Sequence, residues 1–350
     1  MSSLSVADLP TASGEVLCGA VIRREPADFQ VTEMLSPTEQ NEGEHLWLWV
    51  EKAGANTQWV ATALADHFKV RRRDVAYAGL KDRHAITRQW FSVWLPGGQK
   101  RGDPVLPEHA EYQVLTWRWQ AKKIRRGLHD GNRFDLLLRD VDLSTAILEP
   151  RLAAIAASGV PNYYGQQRFG YSFDPQPERI TWSEDRFTRG MQLSAVRSYL
   201  FNMQLAERVL ANTWRVVDLP SWLCWRGSNA GFIAERLDER LEGLLATGEL
   251  SPSAWLPGLV EDPRLAAQPS ELTSLASHRV WLDQLEERRV LAARRATILP
   301  VRGLAHELNE QGLQLTFELP PGAFATTVLN ELFAIKDEAR LAAQTSLDED

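Results

Sequence analysis

The sequence predicts an α+β protein: a mixed, mainly antiparallel sheet with a helix-rich region inserted into it. Three observations lead there. Up to about residue 139 the chain reads as many short strands and few helices, without the strict alternation of a parallel βαβ fold. From about residue 149 the apolar spacing changes to a helical period, and this pattern ends near Pro300. Strand alternation then returns in Leu313-Gln-Leu-Thr-Phe-Glu-Leu319. The strand-rich part is assigned to residues 1–155 and 305–350, and the insertion to residues 156–304. At 350 residues the chain suits about two domains, and 44% hydrophobic with 24% charged residues is an ordinary globular composition with enough apolar side chains for a sizeable core. A disordered chain, a collagen, a coiled coil and a membrane protein are all poor fits, since the apolar runs fall far short of the roughly 18 residues of a span.

Taken in order, residues 17–22 and 28–33 read as strands, and Leu46-Trp-Leu-Trp-Val50 is a short apolar run of strand type. Residues 57–68 read as a helix, with Val60, Leu64 and Phe68 recurring at i+4 and Asn56 placed to cap it. A loop over 79–85, a strand over 89–94 and a turn at Pro96-Gly-Gly98 follow, then strands over 112–119 and 133–139. In the insertion, residues 191–211 carry Leu193, Val196, Leu200, Phe201 and Leu205 on one helical face, and residues 235–247 and 277–296 also have helical period. Pro320-Pro-Gly322 makes a turn, residues 326–343 read as a helix, and the acidic end 347–350 reads as a frayed tail.

Cys18 and Cys224 lie far apart, which excludes a disulfide framework and a CxxC metal clamp. The seven histidines show no HxH or HExxH spacing, and neither GxGxxG nor GxxxxGK[ST] occurs. No metal and no cofactor is therefore expected. The first eight residues have neither a basic nor an apolar stretch of secretory type, so a cytoplasmic address is expected.

The formal net charge of −7 hides an uneven distribution: residues 60–139 hold 16 Lys+Arg against 8 Asp+Glu, a local +8. The basic side chains gather as Arg71-Arg-Arg73, as Lys81 with Arg83 and Arg88, as Lys100-Arg101, and as Lys122-Lys-Ile-Arg-Arg126. A polyanion needs such a local patch rather than a basic total, because screening limits the field to about 8–10 Å. Solvated faces are the plain alternative for any one cluster; four clusters in one stretch favour a phosphate-facing surface. Trp90, Trp94, Trp117, Trp119 and Phe134 accompany the charge, and rings of this kind stack on unpaired bases or, more often, fill a core.

Gly79-Leu-Lys-Asp-Arg-His-Ala85 stands out within the basic segment: one carboxylate, Asp82, is flanked by Lys81, Arg83 and His84. Neighbouring cations favour the charged form of a carboxylate, which suits a nucleophile or an electrostatic stabiliser rather than an acid. A surface loop whose Asp merely pairs with its neighbours fits the same residues.

This segment resembles the nucleophile motif of the TruD family of tRNA pseudouridine synthases. Five others resemble family motifs in the same order: Arg23-Arg-Glu-Pro-Ala-Asp-Phe29 with Gln-Val-Thr-Glu33, Glu51-Lys-Ala-Gly-Ala-Asn-Thr57, Gly131-Asn-Arg-Phe134, Pro161-Asn-Tyr-Tyr-Gly-Gln-Gln-Arg-Phe-Gly170, and Leu319-Pro-Pro-Gly-Ala-Phe324-Ala-Thr326. The resemblance runs from about residue 17 to 332. It implies a pseudouridine-synthase catalytic domain with an inserted TRUD domain, and an enzyme that isomerises uridine to pseudouridine in tRNA, typically uridine 13, without cofactor or metal. It gives the nucleophile's role to Asp82, places Phe29, Phe134 and Phe324 in the base pocket, and makes Asn132 the amide contact to the uridine. Arg23 stands where the family usually has Lys and is the expected ion-pair partner of Asp82, with Lys81 as a second candidate cation; an arginine at a strand end and a solvent-facing lysine are the plain alternatives. Tyr164, Gln166 and Asn330 depart from the commoner Phe, Glu and Arg.

Gln166, Gln167 and Arg168 fit either an RNA contact or a structural clamp. Arg197, Arg288, Arg289, Arg294 and Arg295 fit either a grip on the tRNA backbone or a solvated helix face. The expected partner is tRNA, with no membrane and with a monomeric chain. The competing function is a non-catalytic RNA-binding protein or tRNA chaperone, and a hydrolase releasing uracil is a third reading.

Overall fold

The computed structural model describes residues 8–169 and 180–342. The described chain forms two compact units. One comprises residues 18–145, 302–321 and 334–342; the other comprises 8–17, 146–169, 180–301 and 322–333.

In chain order the elements are β1 (Cys18–Ile22), β2 (Phe29–Met34), β3 (His45–Ala53), α1 (Thr57–His67), β4 (Val75–Tyr77), β5 (Ile86–Trp94), β6 (Tyr112–Gln120), β7 (Gly131–Leu138), α2 (Thr145–Ser158), β8 (Val160–Pro161), α3 (Arg186–Leu210), β9 (Ser221–Trp225), β10 (Gly231–Ala234), α4 (Glu239–Ala246), β11 (Leu250–Leu256), α5 (Pro269–Ser274), α6 (Arg279–Glu287), β12 (Ala293–Ala296), β13 (Ile298–Leu299), β14 (Arg302–Asn309), β15 (Gly312–Leu319), α7 (Ala325–Leu329) and β16 (Phe333–Asp337).

The first unit is built on one sheet, ordered β14-β15-β7-β2-β5-β3-β6, with β4 also paired to β5. Every pair is antiparallel except β2 with β5, which run parallel over Gln30–Thr32 and Ile86–Arg88. The sheet is therefore mixed and mainly antiparallel, as the sequence predicts. β3 shows why the strands face as they do: Leu46, Leu48 and Val50 alternate inward and pack against Val60, Ala61 and Leu64 of α1. α1 starts where expected, with the Asn56 side chain accepting the Gln58 N–H at 2.8 Å. β1 pairs with β16 as a separate two-stranded ribbon.

The second unit is built on α3, whose Val196, Tyr199, Leu200 and Met203 form a core with Trp255, Trp281, Leu282 and Leu285. Beside its helices it has a four-stranded sheet, β10-β9-β11-β12, that periodicity did not announce. The reason is burial: all seven residues of β11 and four of the five in β9 are buried, so neither strand shows alternation. Two expected helices are corrected. The helix expected over 277–296 ends at Glu287 in α6; Arg289 takes a left-handed conformation at φ 54°, and β12 pairs with β11. The Ala- and Arg-rich composition favours helix, and strand pairing overrides it. The helix expected over 326–343 is only α7 at first. Asn330 ends it, and β16 with its buried Phe333 follows before helical residues 338–342. The expected tail at 347–350 lies outside the described residues. No helix among the described residues is long and apolar enough to cross a membrane.

Candidate active site

The loop over 79–85 is held on the segment that closes β3 and opens α1. The Thr57 hydroxyl accepts the Lys81 N–H at 3.0 Å, the Gln89 amide donates to the Gly79 carbonyl at 2.9 Å, and Arg83 Nε donates to the Gly54 carbonyl at 3.0 Å. The strongest tie is the Lys52 ammonium, which donates to the Asp82 main-chain carbonyl at 2.7 Å. Lys52 is 1% exposed. It continues the inward series Leu46, Leu48, Val50, so strand geometry delivers a cation to the core side, where the loop's carbonyl meets it. Two motifs that are separate in sequence thus form one structural piece.

Burial drops the Lys52 ammonium to about 8, with the charge of Lys81 acting the same way and that of Asp82 opposing it. Tyr112 and Thr87 stand opposite Lys52 on β6 and β5 and share its face of the sheet.

The Asp82 carboxylate itself is 53% exposed and pairs with Arg23, Nη2 to Oδ2 at 2.9 Å. The Arg23 side chain is only 9% exposed, and its Nη1 donates to Asp337 Oδ2 at 2.7 Å. One planar guanidinium therefore bridges two carboxylates, a geometry that the fork of Arg suits better than the point charge of Lys. Its central carbon lies 4.0 Å over the Phe29 ring, so an aromatic face supports the cation. Arg23 leaves β1 at φ 58°, a left-handed conformation costing a non-glycine residue roughly 1–2 kcal/mol.

Lys81 does not pair with Asp82 and does not face solvent. Its side chain is 5% exposed, and Nζ meets the fully buried Glu33 carboxylate at 3.0 Å. The other Glu33 oxygen accepts the Trp90 N–H at 3.1 Å. Of the two candidate cations, Arg23 is the partner of Asp82 and Lys81 anchors the loop from below. Near that anchor, His129 is buried, and burial followed by the Lys81 charge lowers its pKa, favouring the neutral ring.

Phe29 on β2 and Phe134 on β7 meet edge-to-face at 6.3 Å, and Phe134 stacks on Phe317 of β15 at 5.5 Å. Asn132 lies two residues before Phe134, opposite Glu33 on one side and Leu319 on the other. It is 9% exposed, and its Oδ1 has no hydrogen-bond partner among the described residues. The segment opens on Gly131 for a spatial reason: a Cβ there would sit 2.4 Å from the Leu319 carbonyl oxygen. The structure thus links Asp82, Arg23, Phe29, Phe134, Asn132 and Lys81 through consecutive contacts and strand pairings. Phe324 belongs to the other unit, where it precedes α7 as its N-cap residue.

Sequence reasoning missed Lys52, Glu33 and Asp337 as site residues. Two of them carried a signal: Lys52 and Glu33 occupy inward positions of alternating strands, where a charged residue needs a buried partner. Asp337 carried none, since its strand reads as helix.

Among the arginines of the second unit, Arg197 donates to the Leu256 and Leu291 carbonyls, Arg294 pairs with buried Glu271 at 2.6 Å, and Arg295 bonds Asn162 and lies 4.0 Å over Tyr164. These three are internal braces, and Arg294 and Arg295 lie on β12 rather than on a helix. Arg168 bonds Ser198 and Ser194 of α3; the Gln167 side chain lies outside the described residues. Arg288 stacks on Trp182 at 4.6 Å, and exposed Arg289 pairs with Glu261.

Comparison with known proteins settles the lineage. The family described as tRNA pseudouridine synthase D (TruD) matches residues 12–173 and 185–332. The chain belongs to the TruD family of tRNA pseudouridine synthases. The tRNA pseudouridine synthase D of Pseudomonas aeruginosa (strain LESB58) is 40% identical over 344 residues, covering 95% of this chain and 96% of that protein. The protein of the same name from Methylococcus capsulatus is 41% identical over 342 residues, with 93% and 94% covered. The crystal structure of a TruD protein from Methanosarcina mazei shares the fold, with a TM-score of 0.64 and 22% identity over 94% of this chain and 95% of that one.

Proposed function

We propose that this chain isomerises uridine to pseudouridine in tRNA, at uridine 13, with Asp82 as the nucleophile. One observation carries the reading. A half-exposed carboxylate is held by a buried, doubly paired guanidinium on a loop whose main chain is tied down on both sides of it. Residues 1–155 and 305–350 form the catalytic part in this reading, and residues 156–304 form the inserted TRUD domain.

The reaction breaks the C1′–N1 bond, turns the uracil while it is held, and forms a C1′–C5 bond; C5 gives up a proton and N1 gains one, so nothing enters or leaves overall. The Asp82 carboxylate attacks C1′ or removes the C2′ proton, and its exposure lets an everted nucleotide reach it. Negative charge that develops on the uracil falls near the Arg23 cation. Asn132 offers a buried amide whose oxygen is unpaired among the described residues, suited to the N–H of a uracil edge, with Phe134 as the neighbouring apolar wall.

Incubating the chain with an unmodified tRNA transcript and mapping pseudouridine tests this directly. Conversion at uridine 13 is expected. RNA binding with no conversion supports the non-catalytic reading instead, and free uracil supports a hydrolase.

Lys52 gives a pH signature with opposite signs in two measurements. Its pKa falls from 10.5 in the unfolded chain to about 8 in the fold. Between those values the unfolded chain holds a proton that the folded chain does not, so this group's contribution to stability rises with pH from about 8 to 10.5 and is lost as pH falls through 8. Turnover should move the other way, since a neutral amine holds the Asp82 carbonyl less strongly than an ammonium. A rate that declines above about pH 8 while the melting temperature does not is the expected result, and Lys52→Arg should move the decline upward. A decline unchanged in Lys52→Arg removes Lys52 from its cause.

A further inference from the structure

Two basic runs far apart in sequence meet on the first unit. Residues 71–73 follow α1, and residues 122–126 lie between β6 and β7. Lys123 Nζ donates to the Arg73 carbonyl at 2.7 Å, and the guanidinium groups of Arg72 and Arg126 both lie over the Tyr77 ring, at 5.7 and 5.4 Å. The second run is pinned in place rather than loose. Ile124 is 2% exposed and packs with Trp47, Ala78 and Trp90, its N–H donates to Ser92 Oγ, and the Lys122 carbonyl accepts from Trp47 Nε1 at 2.9 Å. With Ile124 inward, the lysines and arginines on either side of it stand exposed.

Several other cations of the basic segment are neutralised. Lys81, Arg88, Arg133 and Arg139 each pair with a carboxylate. In the two runs, among the described residues, only Arg71 does, with Asp74 at 3.1 Å. Arg73, Lys122, Arg125 and Arg126 make no ion pair among the described residues. Asp74, beside the first run, attracts Arg71 and Arg73, but one carboxylate does not offset seven clustered cations, and a bound polyanion relieves their mutual repulsion. The ridge also adjoins the site: the Gly127 N–H donates to the Ala78 carbonyl at 2.9 Å, one residue before the loop that bears Asp82.

We propose that this ridge is a phosphate track, holding the RNA backbone beside the nucleotide that enters the Asp82 site. The proposal rests on the reading of the chain as an RNA-modifying enzyme. It locates the phosphate-facing surface in two of the four basic clusters, while Lys81 and Arg88 of a third are neutralised by Glu33 and Glu51. The ridge reads no base; it adds affinity that depends on salt.

The test is tRNA binding and turnover by the quadruple variant Arg73→Gln, Lys122→Gln, Arg125→Gln, Arg126→Gln over a range of salt concentrations. Four lost contacts should lower the slope of log K against log[salt] by about 2–4 and weaken binding at least about tenfold near 0.15 M salt. The loss should fall in Kd and KM rather than in kcat. A second variant keeping charge, Arg73→Lys, Arg125→Lys, Arg126→Lys, should bind nearly as the parent does, which a general structural defect would not allow. An unchanged salt slope in the Gln variant overturns the proposal. If the parent chain binds tRNA but forms no pseudouridine, the catalytic reading fails while the slopes still decide the ridge.

Discussion

Asp82→Asn is expected to lower the rate of pseudouridine formation by at least about 10³-fold, because it removes the half-exposed carboxylate to which this reading gives the attack while keeping the shape of the side chain. The structure predicts that little else changes. Lys52 grips the main-chain carbonyl of residue 82, not the carboxylate, so the loop keeps its anchor. Arg23 keeps Asp337 at 2.7 Å and the Phe29 ring beneath it, so the guanidinium keeps its place. The lost ion pair involves a half-exposed carboxylate, and such pairs contribute about 0–1 kcal/mol. Thermal unfolding and tRNA binding should therefore stay close to the parent while turnover collapses. Rate measurements on Asp82→Asn and Asp82→Ala check this together; a variant retaining more than about a tenth of parental turnover would remove Asp82 from the chemistry.

Lys81→Met should be costly in a different currency. It leaves the Glu33 carboxylate, 0% exposed, with the Trp90 N–H and no cation. Breaking a buried pair from one side costs about 3–5 kcal/mol, since the remaining charge stays desolvated. The double variant Glu33→Gln with Lys81→Met should recover much of that loss, because no charge remains to strand. Urea unfolding followed by tryptophan fluorescence gives the three values. A role for Lys81 as the cation serving Asp82 predicts the reverse, with kcat lost and stability kept. A single-variant cost below about 1 kcal/mol would contradict the buried-pair account.

The contrast between these residues shows what could be read from sequence. Short strands with partial alternation, as in β2, β3, β7 and β15, were legible because one face is buried and the other less so. β9 and β11 were not, because burial on both faces erases the alternation. The motif loop was legible as a site because charged residues gather around a single carboxylate, and Arg23 through its resemblance to a family position. The Arg23–Asp82 pair, formed from the end of β1 59 residues earlier, was expected from that resemblance, whereas the inward turn of the flanking Lys81 onto Glu33 was not. Lys52 and Glu33 were legible in principle, each standing on the apolar side of an alternating strand. Asp337 depended on β16 pairing with β1, a contact between opposite ends of the chain that no local pattern encodes.

The grip of Lys52 on a backbone oxygen makes position 82 a socket whose mounting is independent of what is plugged into it. Side chains that leave the local backbone unchanged can be exchanged there without breaking this main-chain tie. A cysteine or a photoreactive residue at that point becomes a probe for trapping whichever ribose comes within reach, and a family of single replacements separates bond-making from architecture.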